Sequence, residues 1–553
     1  MKKPWFADAV VYQIYPMSFQ DSNHDGIGDL NGIKQRLDYV DQLGANFIWL
    51  NPIYKSPNAD NGYDISDYCA IQPAYGTLAD FDSLLAAANR LNIGIMMDLV
   101  VNHTSEQHPW FLASKKNRNN PYADYYIWRD PVDGHAPNDW LGVFQGSAWT
   151  YVPERDQYYL HSFASAQPDL NWQNPAVRAE VRSIMKFWLD RGVRGFRMDA
   201  IDFPAKPKWS NEGQTFTNVG DAMPDLKRLN RYLQEINQQV LANYDRILTV
   251  GEMSTADPAT AAEFSNLDGS ELNMVFEFEH VDLAANKDKR IGKWSSDSVS
   301  VKDLKRVLSK WQVGLDGKGW NSLYWNNHDQ PRAVSRFATD DPKWRVKAAK
   351  MLGTTLHLLQ GTPYVYEGEE IGMTNAHLKT LQQYEDLDSL NAYHELVDEK
   401  HLVSGPQMLE YLAARSRDNA RTPMQWNSES NAGFTDAQPW YALNPNYDQI
   451  NVAESLSDPT SVFHYYQQLI QLRHANEVVK YGNYLELDPD DGECFAYVRQ
   501  LESRRLLVIS NFTENQIERD YGQNQGTRLI GNYDDDLGVS IRPYECKVYE
   551  LNN

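Results

Sequence analysis

The 553-residue chain is longer than one hydrophobic core usually serves, so two or three domains are expected, although an α/β barrel also forms units of this size. Its 52 basic and 75 acidic residues give a net charge of −23, which would repel the phosphates of nucleic acids and of anionic membranes. Neither nucleic acid nor a membrane is therefore expected as a partner.

Cysteine usage and the N-terminal sequence indicate a cellular compartment. Cys69, Cys494 and Cys546 lie far apart and show no C-x-x-C spacing, so neither a disulfide framework nor a zinc site is predicted. The start, "MKKPWFADAVVYQ", lacks the apolar run of a secretory leader, and no stretch approaches the roughly 18 apolar residues of a membrane span. The sequence predicts a soluble cytoplasmic protein, and we expect a monomer or a weak homodimer.

The first strand-like segment leads into the loop "DSNHDGIGDLNG" (21–32), which matches part of the calcium-binding pattern of helix-loop-helix sensors. Oxygen-bearing side chains stand at pattern positions 1, 3, 5 and 9, and Gly26 stands where the pattern needs a sharp turn. The last position, however, is Gly32 in place of a bidentate Glu, and the preceding "VVYQIYPMSF" indicates a strand rather than a helix. These features favour one structural ion site over a sensor; the alternative is a loop folded on Asx turns without an ion.

Short β-branched and aromatic segments alternate with longer amphipathic ones along the chain. Eight strand-like segments are each followed, apart from small gaps, by a helical pattern, which is typical of a closed parallel barrel. The predicted fold class is therefore α/β, a (β/α)8 TIM barrel. The segments are VVYQIYP, NFIWLNP, IGIMMDLVVNH, GFRMDAI, ILTVGEM, LNMVFEF, WNSLYWNNHD and PYVYEGEE.

Two interruptions and a change of pattern predict further domains. The alternation stops after His103 in a stretch too long for a βα loop, so residues 104–171 are predicted to form an inserted domain B after strand 3. The barrel is assigned residues 1–103 and 172–480, with an irregular subdomain at 372–460 before the last helix. Residues 481–553 alternate short strands with turn residues and are predicted to form a C-terminal antiparallel β-sandwich domain.

In an α/β barrel the chemistry lies at the carboxyl ends of the strands, so the polar residues there are candidate site residues. Each one alone could instead cap the following helix or be a buried, satisfied side chain. Carboxylates on three different strands at one end of a barrel are harder to explain in that way. These polar residues are Asp98, Asn102, His103, Arg197, Asp199, Glu252, His328 and Asp329.

Two of these carboxylates suit acid–base chemistry. Asp199 lies two residues after Arg197, so both side chains share one face of a strand, and the guanidinium would keep the carboxylate ionised as a nucleophile requires. Glu252 follows the apolar run "ILTVG", where partial burial would raise its pKa toward that of a general acid. An ionised and a protonated carboxyl group about 5 Å apart are the apparatus of retaining glycoside hydrolysis.

Six motifs carry a resemblance to a known family. "DLVVNHTS" (98–105), "GFRMDAI" (195–201), "GEMS" (251–254) and "NNHDQPR" (326–332) resemble, in order, the four sequence regions of the α-amylase family, glycoside hydrolase family 13. "QPDLNW" (167–172) and "SRDNARTPMQW" (416–426) are similar to the oligo-1,6-glucosidase and α-glucosidase branch of that family. The match runs over essentially the whole chain.

The resemblance implies roles for individual residues. Asp199 would be the nucleophile, Glu252 the general acid/base, and Asp329 a third carboxylate that holds sugar hydroxyls in the distorted ring. A pocket would bind the terminal glucose, and Arg415 is an alternative to Arg417 in it because the two lie two residues apart. The pocket residues so implied are Asp60, Tyr63, His103, Phe144, Phe163, Gln167, Arg197, Ala200, His328 and Arg417.

The resemblance also implies one structural Ca²⁺ in the loop after strand 1, with no catalytic role, and no organic cofactor. Its implied ligands are Asp21, Asn23, Asp25, Ile27 through its carbonyl, and Asp29.

A pocket closed by an inserted domain accepts a chain end, so exo-acting hydrolysis of short α-glucosides of the isomaltose or maltose type is expected. The linkage stays open: in resembling enzymes the residue after the nucleophile is often Val where α-1,6 links are preferred, and here it is Ala200, a difference worth only ~1 to 3 kcal/mol.

A sucrose isomerase or glucosyltransferase would differ only in its acceptor, and a trehalose-6-phosphate hydrolase would need a cationic patch that the sequence does not reveal. A non-catalytic partner subunit, like the heavy chains of amino-acid transporters, would carry a membrane span and lack the carboxylates.

Overall fold

The computed structural model describes residues 3–207 and 218–551, and in this part of the chain eight parallel strands form a barrel. Neighbours follow sequence order from β1 to β6, with β8 beside β1 and β7 beside β8, and a parallel bridge between Val275 and Asn321 joins β6 to β7. The predicted (β/α)8 fold is confirmed. The strands are β1 (Val11–Ile14), β2 (Phe47–Leu50), β3 (Gly94–Val100), β4 (Gly195–Asp199), β5 (Leu248–Glu252), β6 (Met274–Phe276), β7 (Ser322–Leu323) and β8 (Thr362–Tyr366).

Helices cover the outside of the barrel, so its strands are buried on both faces and read as continuous apolar runs. β3 shows this most clearly, because every residue of "GIMMDLV" is buried and only Asp98 is polar. Local signals fix the helix ends; for example, Thr77 and Asp80 form a capping box at the start of Leu78–Arg90. The surrounding helices are Leu30–Gln35, Leu37–Leu43, Leu78–Arg90, Pro175–Arg191, Leu226–Gln239, Pro258–Phe264, Val301–Leu315, Ala333–Phe337, Arg345–His357 and Val462–Ala475.

β7 is shorter than the sequence suggested. The segment "WNSLYWNNHD" contributes only Ser322–Leu323 to the sheet, so His328 and Asp329 lie beyond the end of the strand. The backbone N–H of Asp329 donates to Oδ1 of Asn327 at 2.8 Å, and such an Asx turn competes with the strand ladder. The chain therefore turns at the barrel mouth where the sequence indicated a continuing strand.

A small inserted domain follows β3. It contains the helix Pro109–Ser114 and an antiparallel sheet of Trp128–Arg129, Trp149–Val152 and Gln157–Leu160. A backbone bridge from His103 to Asp169 ties its two ends to each other beside the barrel, and one from Tyr126 to Leu170 ties its C-terminal end to its interior. Trp140, Trp149 and Leu160 belong to a separate apolar cluster, whereas Phe111, Trp128 and Tyr159 belong to the same cluster as the barrel core.

The stretch predicted as irregular, 372–460, is partly helical. It contains Leu387–Tyr393, Gly405–Arg415, Asp418–Arg421 and Val452–Ser457, and a separate apolar cluster that includes Trp294, Leu396 and Met408. The helices are short and depend on local caps; Ser404, for instance, accepts the N–H of Gln407 at the start of Gly405–Arg415. Short capped helices in a polar sequence leave little periodicity for a sequence reading to detect.

The C-terminal region is an antiparallel sheet with strand order β9-β10-β11-β13-β12, partly covered by the pair Ile517–Glu518 and Ser540–Ile541. The three cysteines are free. None of the helices in residues 3–207 and 218–551 is both long and apolar enough to cross a membrane. The strands are β9 (Asn483–Leu487), β10 (Cys494–Leu501), β11 (Arg504–Asn511), β12 (Gly526–Gly531) and β13 (Cys546–Leu551).

Candidate active site

Arg197 is the centre of a buried charge cluster at the carboxyl ends of β3, β4 and β5. Its Nη1 lies 2.9 Å from Oδ1 of Asp98 and 2.5 Å from Oδ1 of Asp199, and its Nη2 lies 2.8 Å from Oε2 of Glu252. Glu252 Oε2 also accepts the backbone N–H of Ala200 at 2.9 Å. One planar guanidinium thus holds the carboxyl groups of Asp199 and Glu252 side by side, since its donors form a fixed fork.

Burial is the largest influence on the pKa of the carboxyl groups in this cluster. It raises the pKa of both Asp199 and Glu252 to about 7, and the attraction of Arg197 opposes the two shifts. Glu252 behaves as its position after an apolar strand predicted. Arg197 alone does not keep the pKa of Asp199 low, which corrects the sequence-based expectation; the guanidinium is shared among three carboxyl groups. Burial thus favours the protonated form of both groups, and Arg197 favours the ionised form.

Asp329 has the opposite electrostatic environment. Its Oδ1 lies 3.1 Å from Nη1 of Arg417 and 2.8 Å from Nη2 of Arg421. Burial opposes the ionisation of Asp329, but the charges around it hold its pKa well below the ordinary value. His328, although adjacent, is neutral near pH 7 because burial lowers its pKa to about 3, so the two guanidinium groups keep Asp329 ionised.

A hydrogen-bond network closes the inner end of the site. Gln167 donates from Nε2 to Oδ2 of Asp60 at 3.0 Å and lies 3.2 Å from Nε2 of His103. The hydroxyl of Tyr63 donates to Oδ2 of Asp98 at 3.0 Å and lies 2.6 Å from Nε2 of His328. These contacts connect the inserted domain, through Gln167, to β3 and the residues after it, to the segment after β7 and to the loop after β2.

Arg417 links the inner end to the wall of the site. Its Nη2 lies 3.9 Å from Oδ1 of Asp60 and 2.6 Å from Oδ1 of Asp386, and its guanidinium packs 5.1 Å from the ring centroid of Phe144. Arg415 instead donates to backbone carbonyls of the segment after β6, at 3.3 and 3.4 Å. The structure therefore brings Arg417, and not Arg415, to the predicted pocket.

These side chains surround one cavity of about 740 Å³ at the barrel mouth. Phe163 of the inserted domain packs between Phe144 and His103, with ring centroids 5.5 and 5.3 Å apart. Arg197 and His328 lie behind the cavity wall and bind the residues that form it. The predicted residues that line the cavity directly are Asp60, Tyr63, His103, Phe144, Phe163, Gln167, Asp199, Ala200, Glu252, Asp329 and Arg417.

Comparisons with known proteins show the family of the chain. Residues 13–482 match the family model for the alpha-amylase catalytic domain. The chain belongs to the alpha-amylase family. It is 51% identical to an alpha-glucosidase from Pediococcus pentosaceus, with 99% of each chain covered, and 49% identical to an oligo-1,6-glucosidase from Parageobacillus thermoglucosidasius, with 100% of each covered. A crystal structure of an isomaltulose synthase from Erwinia rhapontici NX5 with bound sucrose matches with a TM-score of 0.96 at 39% identity, over 100% of both chains.

This member of the alpha-amylase family has an outer cavity wall that the sequence reading missed. It comes from the segment after β6 and from the 372–460 subdomain, whose positions follow from tertiary packing and not from a motif. Asp386, which forms ion pairs with Arg417 and Arg421, belongs to the same subdomain. The missed residues that line the outer cavity include Phe278, Lys289, Arg290, Ile291, Lys293, Trp294, Asp388, Glu395, Leu396 and Lys400.

The predicted calcium loop folds on its own backbone. Asp21 Oδ1 accepts two backbone N–H groups at 2.8 and 2.9 Å, Asn23 Oδ1 accepts that of Asp25 at 3.0 Å, and Asp25 Oδ1 accepts that of Ile27 at 2.9 Å. Asp29 caps the helix Leu30–Gln35. An all-oxygen donor set suits Ca²⁺, but the described residues contain no group of three or more His, Cys, Asp or Glu side chains placed to hold a metal. The ion stays a prediction.

Proposed function

We propose that this chain is a retaining, exo-acting α-glucosidase that hydrolyses terminal α-linked glucose from short oligosaccharides. The observation that carries the proposal is the pair Asp199 and Glu252, held on one guanidinium in a cavity whose inner end is closed. Retaining enzymes use two carboxyl groups about 5 Å apart, one ionised and one protonated. In the proposed reaction Asp199 is the ionised member of the pair and Glu252 the protonated one.

The proposed reaction has two steps through a glucosyl-enzyme. Asp199 attacks the anomeric carbon while Glu252 donates its proton to the glycosidic oxygen, so the bond to the leaving sugar breaks and a covalent ester forms. Glu252, now ionised, removes a proton from water, which attacks the same carbon and releases glucose and Asp199. Asp329, ionised beside Arg417 and Arg421, accepts hydrogen bonds from sugar hydroxyls and favours the distorted ring.

The closed inner end supports attack on a chain end. Asp60, Gln167 and Arg417 lie across it, and Phe144 and Phe163 of the inserted domain cover the side. A polysaccharide cannot pass through such a pocket, so one terminal glucose enters and the remainder of the substrate lies in the outer cavity. Maltose-type and isomaltose-type substrates both meet this requirement, and the relatives named alpha-glucosidase and oligo-1,6-glucosidase support either linkage.

Two alternatives use the same intermediate. A sucrose isomerase would return the glucosyl group to a bound sugar in place of water, and the isomaltulose synthase structure gives this candidate its support. A trehalose-6-phosphate hydrolase would need cations in the outer cavity. Lys289, Arg290, Lys293 and Lys400 are there, but three of these four cations pair with the carboxylates of Asp288, Asp388 and Glu395, which disfavours a phosphate.

Initial rates of glucose release from maltose, isomaltose, sucrose and trehalose 6-phosphate test the proposal, with Asp199→Ala as the inactive control. We expect release from maltose or isomaltose and none from the variant. Isomaltulose formed from sucrose faster than glucose would favour the isomerase, and a preference for the phosphorylated sugar would favour the third candidate. An Asp199→Ala variant as active as the wild type would contradict the assignment of the nucleophile.

We also propose that the loop of residues 21–29 binds one Ca²⁺, which supports the fold and takes no part in the reaction. Its oxygen-only donors support this choice of ion. We propose further that the enzyme acts in the cytoplasm as a monomer or weak homodimer without an organic cofactor; its three free cysteines suit a reducing compartment.

A further inference from the structure

Lys206 is a buried lysine between the barrel and the inserted domain. It lies seven residues after Asp199, in the segment that follows β4, and only 6% of its surface is exposed. Its Nζ lies 2.6 Å from Oδ2 of Asp169 and donates to Oδ1 of Asn102 at 2.7 Å and to Oγ of Ser162 at 3.3 Å. All three possible donors of the ammonium group are therefore used.

Asp169 collects contacts from the same groups. Its Oδ1 accepts Nδ2 of Asn102 at 3.2 Å and the backbone N–H of Ser162 at 3.1 Å, and its carboxylate is fully buried. Its backbone bridges to His103 at the end of β3. The Lys206–Asp169 pair thus joins three separate segments: the end of β3, the inserted domain and the segment after the proposed nucleophile.

The segment that this pair holds, residues 162–169, is the one that closes the glucose pocket. Gln167, two residues before Asp169, bonds Asp60 and contacts His103, and Phe163 follows Ser162 directly. A second connection is aromatic. The Lys206 ammonium lies 5.6 Å from the ring centroid of Phe203, whose ring lies 5.2 Å from that of Phe163.

Packing beside the pair is incomplete. A polar cleft of about 300 Å³ separates the inserted domain from the barrel there, and Lys206 is part of its wall together with Trp128 and Arg155. An interface with a cleft in it gains less from close contact of apolar side chains than a filled one. Residues 162–169 are therefore held to the barrel by specific bonds. The backbone N–H groups of Thr104 and Glu106 donate to the carbonyls of Pro168 and Ala166 at 3.2 and 2.8 Å, and the buried Lys206–Asp169 ion pair adds the link to the segment after β4.

We propose that Lys206 is a positioning residue, which pins residues 162–169 of the inserted domain to the barrel so that Phe163 and Gln167 meet the terminal glucose. The inference rests on the proposed function, because it names what sets the binding wall of that same site. Lys206 does not line the cavity of the proposed active site. It acts through Asp169 and Phe203.

Loss of the Lys206–Asp169 contact should change KM and not kcat. The wall formed by Phe163 and Gln167 binds glucose in the ground state and in the transition state, so a misplaced wall weakens both and raises KM. The carboxyl pair on Arg197 belongs to the barrel and keeps its geometry, so kcat changes little. For Lys206→Met we expect KM for maltose, isomaltose and an aryl α-glucoside to rise between about 10- and 100-fold, with kcat within about threefold of wild type.

Lys305 provides a matched control. It is also a buried lysine at a domain interface, and its Nζ donates to the backbone carbonyls of Asp488, Asp491 and Cys494 at 2.6, 3.1 and 3.0 Å, far from the cavity. Lys305→Met should lower the thermal midpoint as Lys206→Met does, and leave KM unchanged. Lys206→Arg, which keeps the charge beside Asp169, should recover most of the lost affinity.

The measured KM values distinguish a positioning role of Lys206 from a role in stability alone. A folded Lys206→Met enzyme with wild-type KM, or a Lys305→Met enzyme with an equal rise in KM, would overturn the proposal. If Lys206→Met does not fold, the double variant Lys206→Met/Asp169→Asn, which leaves no unpaired charge, is measured in its place with the same expectation. Failure of the wild-type enzyme to release glucose from any of the substrates would instead overturn the proposed function.

Discussion

Replacing Arg197 by lysine tests how far one guanidinium organises the reacting carboxyl groups. Arginine reaches Asp199 and Glu252 with two different nitrogens, at 2.5 and 2.8 Å, and also bonds Asp98 at 2.9 Å. A lysine ammonium keeps the positive charge but cannot present two donors in a fixed planar fork. We therefore expect Arg197→Lys to release at least one of the two carboxyl groups.

The expected fall in kcat/KM follows from the two hydrogen bonds that Arg197 donates to Asp199 and Glu252. A hydrogen bond to a charged group contributes roughly 1.5 to 3 kcal/mol, so two of them amount to about 3 to 6 kcal/mol. Each 1.36 kcal/mol is a factor of ten in rate, so kcat/KM should fall by about 10²- to 10⁴-fold. Removing the cation altogether, as in Arg197→Met, also favours the protonated form of Asp199, so the acidic limb of the pH profile should move to higher pH.

The assay is kcat/KM for an aryl α-glucoside across the pH range, with Arg473→Lys as control. Arg473 is equally buried and bonds only backbone carbonyls away from the cavity, so its replacement should cost stability without changing kcat/KM. An Arg197→Lys enzyme within threefold of wild type, or one that loses no more activity than the Arg473 control, would refute the reasoning.

Further predictions concern stability, linkage and the ion. Burial raises the pKa of Glu369 to about 8, so between about pH 5.5 and pH 7.5 this carboxyl group is protonated in the folded protein and ionised in the unfolded one. The wild-type protein should therefore lose about 2 to 3 kcal/mol of unfolding free energy over this range relative to Glu369→Gln, as measured by urea titrations. An equal change in both proteins would contradict this. Ala200 has a φ of 39°, which a β-branched residue adopts poorly, so Ala200→Val should lower the thermal midpoint. The same variant should raise the isomaltose-to-maltose ratio of kcat/KM. No change in either quantity would remove the residue from linkage selection. Chelation should lower the thermal midpoint, with recovery on adding Ca²⁺, because an ion that binds only the folded state stabilises it; a metal-free midpoint that Ca²⁺ does not move would leave the loop as a set of Asx turns.

The sequence predicted most of the barrel because buried parallel strands leave a strong pattern. β3 and β4 are apolar runs that end in a few polar residues, and those residues are the ones that meet at the barrel mouth. Asp199, Glu252 and Asp329 were predicted from that position and from the family resemblance together. Arg417 was distinguished from Arg415 only by its contacts, since two arginines two residues apart look alike in the sequence.

Other features depend on tertiary contacts that have no local signal. The outer cavity wall, including Trp294 and Leu396, packs through a cluster drawn from distant segments. Lys206 lies in "DFPAKPK", where lysines between prolines indicate solvated side chains, and only the contacts of Lys206 with groups such as Asp169 show otherwise. The raised pKa of Asp199 likewise comes first from its burial, which a spacing of two residues from Arg197 cannot reveal.

Trapping the covalent intermediate tests the proposed mechanism most directly. A 5-fluoro-α-glucosyl fluoride forms the glucosyl-enzyme quickly and releases it slowly, so the intact mass of the treated enzyme and the mass of its peptides locate the bond. We expect one added fluoroglucosyl group on the peptide that contains Asp199, and none on Asp199→Ala treated in the same way. An adduct on another residue, or turnover of the reagent without any adduct, would contradict the assignment of Asp199 as the nucleophile.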